Sequence, residues 1–312
     1  MTGPSSLAAR AIVAASSSAR LKEAVTRAPV TRSVVERFVA GEAEDDGVRA
    51  ARSLAGSGLR VSLDHLGEFT SDPEVIRAAT AATVSMLRRL AAEGLAPACE
   101  VSVKLTALGL DVGRSVALDN AYAVVAAARE AGTTVTCDME DSTRTDRTLD
   151  VVRELRAEEP SVGVVLQAML RRTESDARDL AHAGSRVRLC KGAYAEPESV
   201  AFPSRAEVDA SYARSLGILM RGQGYPMVAT HDPRFVDLGE RLVKEHGRGA
   251  DTYEFQMLYG IRPGEQLALA GRGHTVRVYV PYGKDWYGYL MRRLAERPAN
   301  VAFFVRALAT RS

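Results

Sequence analysis

Eight short runs rich in β-branched and other apolar residues recur along this chain, separated by longer amphipathic stretches. The runs are Leu59 to Leu63, Cys99 to Leu105, Thr133 to Asp138, Gly163 to Ala168, Arg186 to Cys190, Pro226 to Thr230, Thr252 to Met257 and Thr275 to Val280. The amphipathic stretches include Pro73 to Ala92, Asp119 to Ala131, Thr145 to Glu158, Ser204 to Gly222, Arg234 to His246, Gly264 to Ala270 and Asp285 to Glu296. Strands that alternate with helices indicate βαβ units and a parallel sheet. Eight such units in about 250 residues predict an α/β fold of the (β/α)8 TIM-barrel type.

The main alternative for such a pattern is an open, doubly wound sheet. That fold commonly carries a GxGxxG turn between its first strand and the next helix. No such motif follows the first run, and Gly271-Arg-Gly273 comes before a strand-like run instead of a helix. The barrel is therefore the favoured architecture.

The first 50 residues precede the strand pattern and contain two helix-like pieces, Ser6 to Arg27 and Thr31 to Ala40. An acidic segment, Gly41 to Asp46, follows them and is interpreted as a break. We expect residues 1–50 to form an N-terminal helical extension packed on the barrel and residues 51–312 to form the barrel itself.

Composition limits the classes of partner. The chain has 312 residues, of which 46% are hydrophobic, and its 41 basic residues nearly balance its 39 acidic ones. This balance provides no strong field for nucleic acid or an anionic bilayer, and no run approaches the roughly 20 apolar residues of a membrane span. The three cysteines, Cys99, Cys137 and Cys190, lack CxxC spacing and are predicted to be buried thiols of a cytoplasmic protein.

Active sites of (β/α)8 barrels lie where the carboxyl ends of the strands meet. Every predicted strand ends near a polar residue; the set is Asp64, His65, Lys104, Asp138, Glu140, Gln167, Arg188, Lys191, Thr230, His231, Gln256 and Tyr279. Lys104 interrupts an apolar run, where a buried ammonium needs an anionic partner. Asp138 on the neighbouring strand is the partner that we expect.

Two adjacent arginines, Arg292 and Arg293, lie on the predicted helix after the eighth strand. Side by side, they suit a bidentate grip on a carboxylate or phosphate, although a solvated helix face also explains such a pair. Together with Lys104, Arg188 and Lys191 they predict a cationic mouth with few acids to balance it. Such a mouth favours an anionic substrate, an anionic cofactor, or both.

Four classes of function remain open on these residues. A metal hydrolase is disfavoured because only two histidines lie at strand ends, without HxH or HExxH spacing. A Schiff-base lyase would use Lys104 or Lys191 as its nucleophile. A flavin enzyme explains both cationic groups, one for a pyrophosphate and one for an acid substrate. A binding barrel without catalysis is the fourth class.

Seven segments in order along the chain resemble the proline dehydrogenase family. They are Ser102-Val-Lys-Leu-Thr-Ala-Leu-Gly109, Asp138-Met-Glu-Asp141, Val165-Leu-Gln-Ala168, Val187-Arg-Leu-Cys-Lys-Gly-Ala-Tyr194, Ala229-Thr-His-Asp232, Tyr253-Glu-Phe-Gln-Met-Leu-Tyr-Gly260 and Tyr289-Leu-Met-Arg-Arg-Leu-Ala-Glu296. The resemblance extends from about Leu63 to Asn300, and the length is similar to that of the small monofunctional bacterial enzymes. It implies a distorted (β/α)8 barrel that contains FAD and oxidises L-proline to Δ1-pyrroline-5-carboxylate.

The resemblance also implies roles for individual residues. Asp138 and Arg188 are the implied catalytic pair, and Glu68 is implied to form a lid ion pair with Arg292. The implied substrate-binding residues are Lys104, Leu189, Tyr279, Tyr289, Arg292 and Arg293. The implied FAD-binding residues are Met139, Gln167, Arg188, Lys191, Gly192, Ala193, Thr230, His231 and Glu296. Two departures are Thr106, where serine is more usual, and Asp232, where several relatives have asparagine.

By the same resemblance, proline transfers a hydride to the flavin N5, and the electrons pass to a quinone at the membrane surface as the first step of proline catabolism to glutamate. Asp138 is expected to orient Lys104 without acting as the base. A separate pyrroline-5-carboxylate dehydrogenase is a further partner left open. The implied location is the cytoplasm, with peripheral attachment to the inner face of the cell membrane also open.

Overall fold

The fold is a closed barrel of eight parallel strands, seen in a computed structural model that describes residues 35–296, with side chains up to residue 293. Each strand pairs with the next along the chain, and the eighth pairs with the first. The strands are β1 (Arg60–His65), β2 (Cys99–Val103), β3 (Val135–Cys137), β4 (Gly163–Gln167), β5 (Arg186–Cys190), β6 (Tyr225–Ala229), β7 (Glu254–Leu258) and β8 (Val276–Tyr282). The predicted (β/α)8 barrel is confirmed.

Helices alternate with these strands over the same range. They are α1 (Glu44–Gly56), α2 (Pro73–Ala92), α3 (Arg114–Ala131), α4 (Thr145–Glu158), α5 (Thr173–Leu180), α6 (Arg205–Arg221), α7 (Pro233–Glu245), α8 (Pro263–Gly271) and α9 (Trp286–Glu296). A short 3-10 turn, Ser142–Arg144, precedes α4.

Several helix starts are encoded by local capping residues. Asp72 and Asp232 cap α2 and α7, and in each case the carboxylate accepts a hydrogen bond from the backbone N–H two residues later, with proline in the first turn. Ser204 and Glu207 form a capping box at the start of α6. These side chains satisfy N–H groups that the first helical turn leaves without an intrahelical partner.

Helix α1 packs outside the barrel against β8 and β1. Its first turn contains Glu44, Asp45 and Asp46, so the acidic segment predicted to be a break is in fact a helix start. Acidic side chains are favoured there because they complement the positive end of the helix dipole. Helix α1 also continues across residue 50, where the extension was predicted to end. The predicted helix Ser6 to Arg27 lies outside the described residues.

Helix α9 is held at the C-terminal mouth of the barrel by a second hydrophobic cluster. In this cluster Trp286, Tyr289 and Leu290 pack with Phe38 and with Leu66, which directly follows β1. Because α1 covers the flank of β8 and β1, the helix that follows β8 is placed over the strand ends. This arrangement brings the two arginines of α9 to the mouth.

The barrel interior is polar, whereas branched apolar side chains usually fill such barrels. Near the N-terminal ends of the strands, Arg186 pairs with Glu100 at 2.8 Å and Arg277 pairs with Glu254 at 2.7 Å. All four side chains are largely withdrawn from solvent. The apolar residues between these positions, such as Val61, contribute to the main core.

No helix in the part of the chain that the structure describes is long and apolar enough to cross a lipid bilayer. Cys99 and Cys137 are buried thiols, as predicted, and Cys190 is half-buried. Burial raises the pKa of the Cys137 thiol to about 12.

Candidate active site

Lys104 lies between two aspartates at the mouth of the barrel. Its Nζ atom donates to both carboxylate oxygens of Asp64, at 2.9 and 2.7 Å, and lies 3.9 Å from the nearest oxygen of Asp138. Asp138 is thus within ion-pair distance of Lys104, as predicted, but Asp64 is a closer partner that was not predicted. That Asp138 orients Lys104 stays a prediction. Strand β2 has β1 on one side and β3 on the other, and each of these delivers an aspartate to the strand ends. Burial alone would lower the pKa of the Lys104 ammonium, but the carboxylates of Asp64 and Asp138 raise it, so the group stays charged.

The side chain of Arg188 extends from β5 across the barrel interior to Asp138, directly after β3. Its Nη1 atom donates to Asp138 Oδ1 at 2.6 Å and to Ser102 Oγ at 3.0 Å, and its Nε atom donates to Gln256 Oε1 at 2.5 Å. The other oxygen of Asp138 accepts a hydrogen bond from the Tyr279 hydroxyl at 2.6 Å. The implied catalytic pair thus forms one network with Tyr279, and both carboxylate oxygens of Asp138 are occupied.

Above this network, Arg292 of α9 pairs with Glu68 of the loop after β1. Nη1 contacts Oε1, and Nη2 donates to Oε2 at 3.0 Å. The Arg292 guanidinium also lies 5.6 Å from the centre of the Tyr194 ring. Arg293 has a different setting, 5.2 Å from the ring centre of Tyr289. The two adjacent arginines therefore have separate environments.

Lys191, directly after β5, forms a second charged group at the mouth. Its Nζ atom donates to Asp209 at 2.5 Å and to Asp232 at 3.2 Å. Hydrogen bonds from Arg234, against the effect of burial, hold the pKa of Asp232 below its usual range, and Lys191 adds to this. Asp232 is therefore both the cap of α7 and a partner of Lys191.

The prediction of a mouth with few acids to balance its cations is wrong. Within the described residues, Lys104, Arg188, Lys191 and Arg292 each have a carboxylate partner. Two of these carboxylates do not lie at strand ends, because Glu68 is in the loop after β1 and Asp209 is in α6. Electrostatic coupling also extends across the mouth, since Glu68 raises the pKa of both Lys104 and Arg292 against the effect of burial.

The turn after Lys191 requires glycine. Gly192 has φ of +97°, and a Cβ atom built there would lie 2.5 Å from Met169 Sδ. The positive φ strains any residue with a Cβ atom, and the Met169 side chain would have to move to make room for one. The chain from Gly192 through Ala193 has no regular secondary structure, so its backbone N–H groups are not used in a helix or strand.

The remaining residues implied to bind a cofactor lie at or just after the ends of β3, β4 and β6. Met139 and Thr230 are buried after β3 and β6. Gln167, at the end of β4, donates from Nε2 to the backbone carbonyl of Glu140 at 2.7 Å. His231 accepts at Nε2 from the backbone N–H of Leu258 at 2.8 Å. These contacts connect the end of β4 to the chain after β3, and the end of β7 to the chain after β6.

Two other residues with implied roles are less informative. Leu189 is fully buried in the main hydrophobic core. Glu296 is the last residue of α9, and its side chain lies outside the described part.

Besides Asp209 and Ser102, the residues at the mouth that had no implied role include Asp64, Tyr194 and Glu140. Asp64 and Glu140 did appear among the polar strand ends, so their position was visible but their partners were not. Burial raises the pKa of Glu140 to about 7, although hydrogen bonds from Thr106 oppose this. Tyr194 lies four residues beyond β5. The one signal in the sequence for a role of Tyr194 is that it ends the family-like segment from Val187 to Tyr194.

Comparison with known proteins shows the family of the chain. The family described as proline dehydrogenase matches residues 48–306. Proline dehydrogenase 2 of Bacillus subtilis (strain 168) is 41% identical over 278 residues, which cover 89% of this chain and 91% of the relative. Proline dehydrogenase of Deinococcus radiodurans is 41% identical over 281 residues, which cover 88% of this chain and 90% of that protein.

The fold also matches a larger protein of known structure. Proline utilization A (PutA) from Bdellovibrio bacteriovorus, inactivated by N-propargylglycine, aligns with a TM-score of 0.77 and 25% identity. The alignment covers 85% of this chain and 32% of the PutA chain, so the barrel corresponds to about a third of that protein. Since the family match covers most of the chain and two relatives are 41% identical to it over the aligned residues, the chain belongs to the proline dehydrogenase family.

Proposed function

We propose that this enzyme oxidises L-proline to Δ1-pyrroline-5-carboxylate, the first step in the catabolism of proline to glutamate. Family membership supports the activity, and one feature of the mouth supports the substrate class. Arg292 holds the Glu68 carboxylate through two nitrogen atoms. A guanidinium arranged in this way can hold the carboxylate of an amino acid in the same manner.

Substrate binding in this proposal depends on three cations and three apolar walls. Lys104, kept charged by Asp64, acts with Arg292 and Arg293 on the proline carboxylate. The rings of Tyr279 and Tyr289 and the side chain of Leu189 confine the substrate ring. A carboxylate fixed by several cations leaves the ring little orientational freedom, and such positioning can supply much of a rate enhancement.

Asp138 is assigned a positioning role. One of its oxygens accepts from Arg188 and Ser102 and the other accepts from Tyr279, so the carboxylate is tied to three neighbouring side chains. We infer that Asp138 fixes the Arg188 guanidinium and the Tyr279 ring. The amine proton of proline is then lost to water before or during binding.

The chemistry of the second charged group fits FAD. The Lys191 ammonium and the backbone N–H groups of the turn through Gly192 and Ala193 are suitable donors for a pyrophosphate. Asp209 and Asp232 would have to share Lys191 with the phosphates. The other residues proposed to hold the cofactor are Met139, Gln167, Arg188, Thr230, His231 and Glu296. When bound, FAD supplies the hydride acceptor.

The proposed electron acceptor is a quinone at the membrane surface, and a separate pyrroline-5-carboxylate dehydrogenase is a candidate consumer of the product. The enzyme would work in the cytoplasm or at the inner face of the cell membrane.

A Schiff-base lyase is the alternative that uses the same lysine. The pairing of Lys104 with Asp64 argues against it, because the carboxylate raises the pKa of the ammonium and a nucleophilic lysine must lose its proton.

The test is to purify the protein, record its visible spectrum and add L-proline without oxygen. We expect a yellow protein whose flavin absorbance is bleached by L-proline. A colourless protein that stays inactive after FAD is added would refute the proposal, and a borohydride-trapped lysine adduct would establish the lyase.

A further inference from the structure

Phe69, directly after the lid residue Glu68, has a strained backbone. Its φ is +56°, in the left-handed region that residues with a Cβ atom seldom adopt. Its ring is exposed by 43%, lies 4.8 Å from the guanidinium carbon of Arg144, and meets Tyr194 edge-on at 6.5 Å. A strained residue persists only where its surroundings hold it.

The backbone of Phe69 is held by Thr106. The Thr106 hydroxyl accepts a hydrogen bond from the Phe69 N–H at 2.8 Å. The same hydroxyl donates to Glu140, and the Thr106 N–H donates to the other Glu140 oxygen at 3.1 Å. A hydroxyl has one hydrogen and two lone pairs. Because the buried Glu140 carboxylate takes the hydrogen, a lone pair of Thr106 is left for Phe69.

We propose that Thr106 and Glu140 form a latch that fixes the Phe69 backbone, and through it the position of Glu68 against Arg292, so that the latch sets the affinity for the substrate carboxylate. This inference rests on the proposed oxidation of proline. Thr106 and Glu140 are positioning residues, since they act through the loop and through Arg292. The bottom of the site, at Arg188 and Asp138, is outside their direct contacts.

Three variants of the holoenzyme test the latch. Thr106→Val removes the hydroxyl with little change in shape, and Thr106→Ser restores it. Thr148→Val is the matched control, because Thr148 is also fully buried but its hydroxyl has no hydrogen-bond partner within the described residues. The measurements are steady-state kinetics with L-proline and hydrogen–deuterium exchange of the peptide that contains Phe69.

In Thr106→Val we expect the KM for L-proline to rise roughly 3- to 10-fold, the effect of one lost hydrogen bond, while kcat stays within about 2-fold. The Phe69 amide should exchange faster in this variant. Thr106→Ser should behave as the wild type in both measurements, and Thr148→Val should change neither.

Unchanged KM and unchanged exchange in Thr106→Val would overturn the latch, as would a failure of serine to restore them or an equal effect in Thr148→Val. Failure of the proposed function is a separate outcome, because hydrogen–deuterium exchange does not require activity. Exchange of the wild type and Thr106→Val would show whether Thr106 protects the Phe69 amide even if neither protein oxidises proline.

Discussion

Glu140 is a fully buried carboxyl group whose ionisation affects stability. Burial raises its pKa from 4.5 to about 7, and the charge of Glu68 adds to this. The Thr106 hydrogen bonds and the charge of Lys104 act in the opposite direction. The folded protein therefore binds this proton more tightly than the unfolded chain. Stability from this group is complete below about pH 4.5 and is lost as the pH rises towards 7.

We accordingly expect Glu140→Gln to lose less stability than the wild type between pH 5 and pH 8. An amide has no proton to lose in this range, and its oxygen can still accept from Thr106. Melting temperatures of both proteins across this range are the measurement, with the exposed Glu158→Gln as a control. Parallel profiles for wild type and Glu140→Gln would show that Glu140 does not titrate in this window.

Tyr279 is the residue that we expect to determine substrate choice at the ring. Its hydroxyl is bound to Asp138 and its ring lies 5.2 Å from the guanidinium carbon of Arg188, so the side chain is fixed in place. We expect a ring fixed in this way, next to the substrate ring, to exclude an additional substrate hydroxyl. We predict that L-proline is preferred over trans-4-hydroxy-L-proline by roughly 10- to 200-fold in kcat/KM.

Two substitutions separate the ring of Tyr279 from its hydroxyl. Tyr279→Ser should remove most of the preference, chiefly through weaker proline binding, and Tyr279→Phe should keep it because the ring remains. Measurement of kcat/KM for both substrates decides the point. The steric explanation would be contradicted if Tyr279→Ser kept the preference for L-proline, or if Tyr279→Phe lost it.

The environment of Lys104 shows how far single residues could be predicted. Its burial and its need for a carboxylate follow from an ammonium inside an apolar run. The sequence contains an aspartate at the end of each neighbouring strand, and strand order alone does not distinguish Asp64 from Asp138. The choice depends on the reach of Arg188 across the barrel, which engages Asp138 at 2.6 Å. Contacts across a barrel have no signature in local sequence.

At the scale of elements, strands and long helices were predictable because their apolar periodicity is strong. Helix α5 (Thr173–Leu180) was missed, since it has eight residues and its buried positions are Thr173, Asp176 and Ala177, which give little apolar signal. The start of α1 was missed because three acidic residues resemble a loop. The position of α9 over the mouth depends on its packing with Phe38 and Leu66, which are distant in sequence.

This placement of α9 leads to a prediction for its two arginines. If they hold the substrate carboxylate, Arg292→Met and Arg293→Met should each raise the KM for L-proline about 10-fold or more, because a hydrogen bond to a charged group contributes about 1.5 to 3 kcal/mol. FAD content should stay near normal in Arg292→Met, since its described contacts are with Glu68 and Tyr194. Lys284→Met, an exposed cation just before α9, is the control. Unchanged kinetics in both arginine variants would mean that the pair is not a substrate site.

At the scale of the whole molecule, the barrel closes around buried charges. Arg277 on β8 donates to the backbone carbonyl of Val61 on β1 at 2.9 Å and to Glu254 on β7 at 2.7 Å. It also lies 3.8 Å from Glu100 on β2. One guanidinium thus connects the strands on both sides of the closure. Buried ion pairs gain little net stability over apolar packing, but the loss of one partner leaves an uncompensated charge.

We therefore predict that Arg277→Met lowers the free energy of unfolding by about 3 to 5 kcal/mol. Arg277→Lys should restore little of it, because an ammonium cannot serve Val61 and Glu254 in the planar geometry of a guanidinium. Adding Glu254→Gln to Arg277→Met should recover part of the loss, since one of the uncompensated carboxylates is then removed. Urea unfolding midpoints of these variants and of the exposed control Arg60→Met are the measurement. If Arg277→Met unfolds at the same urea concentration as Arg60→Met, the closure does not depend on this guanidinium and the apolar layer between strands and helices is sufficient to hold the barrel.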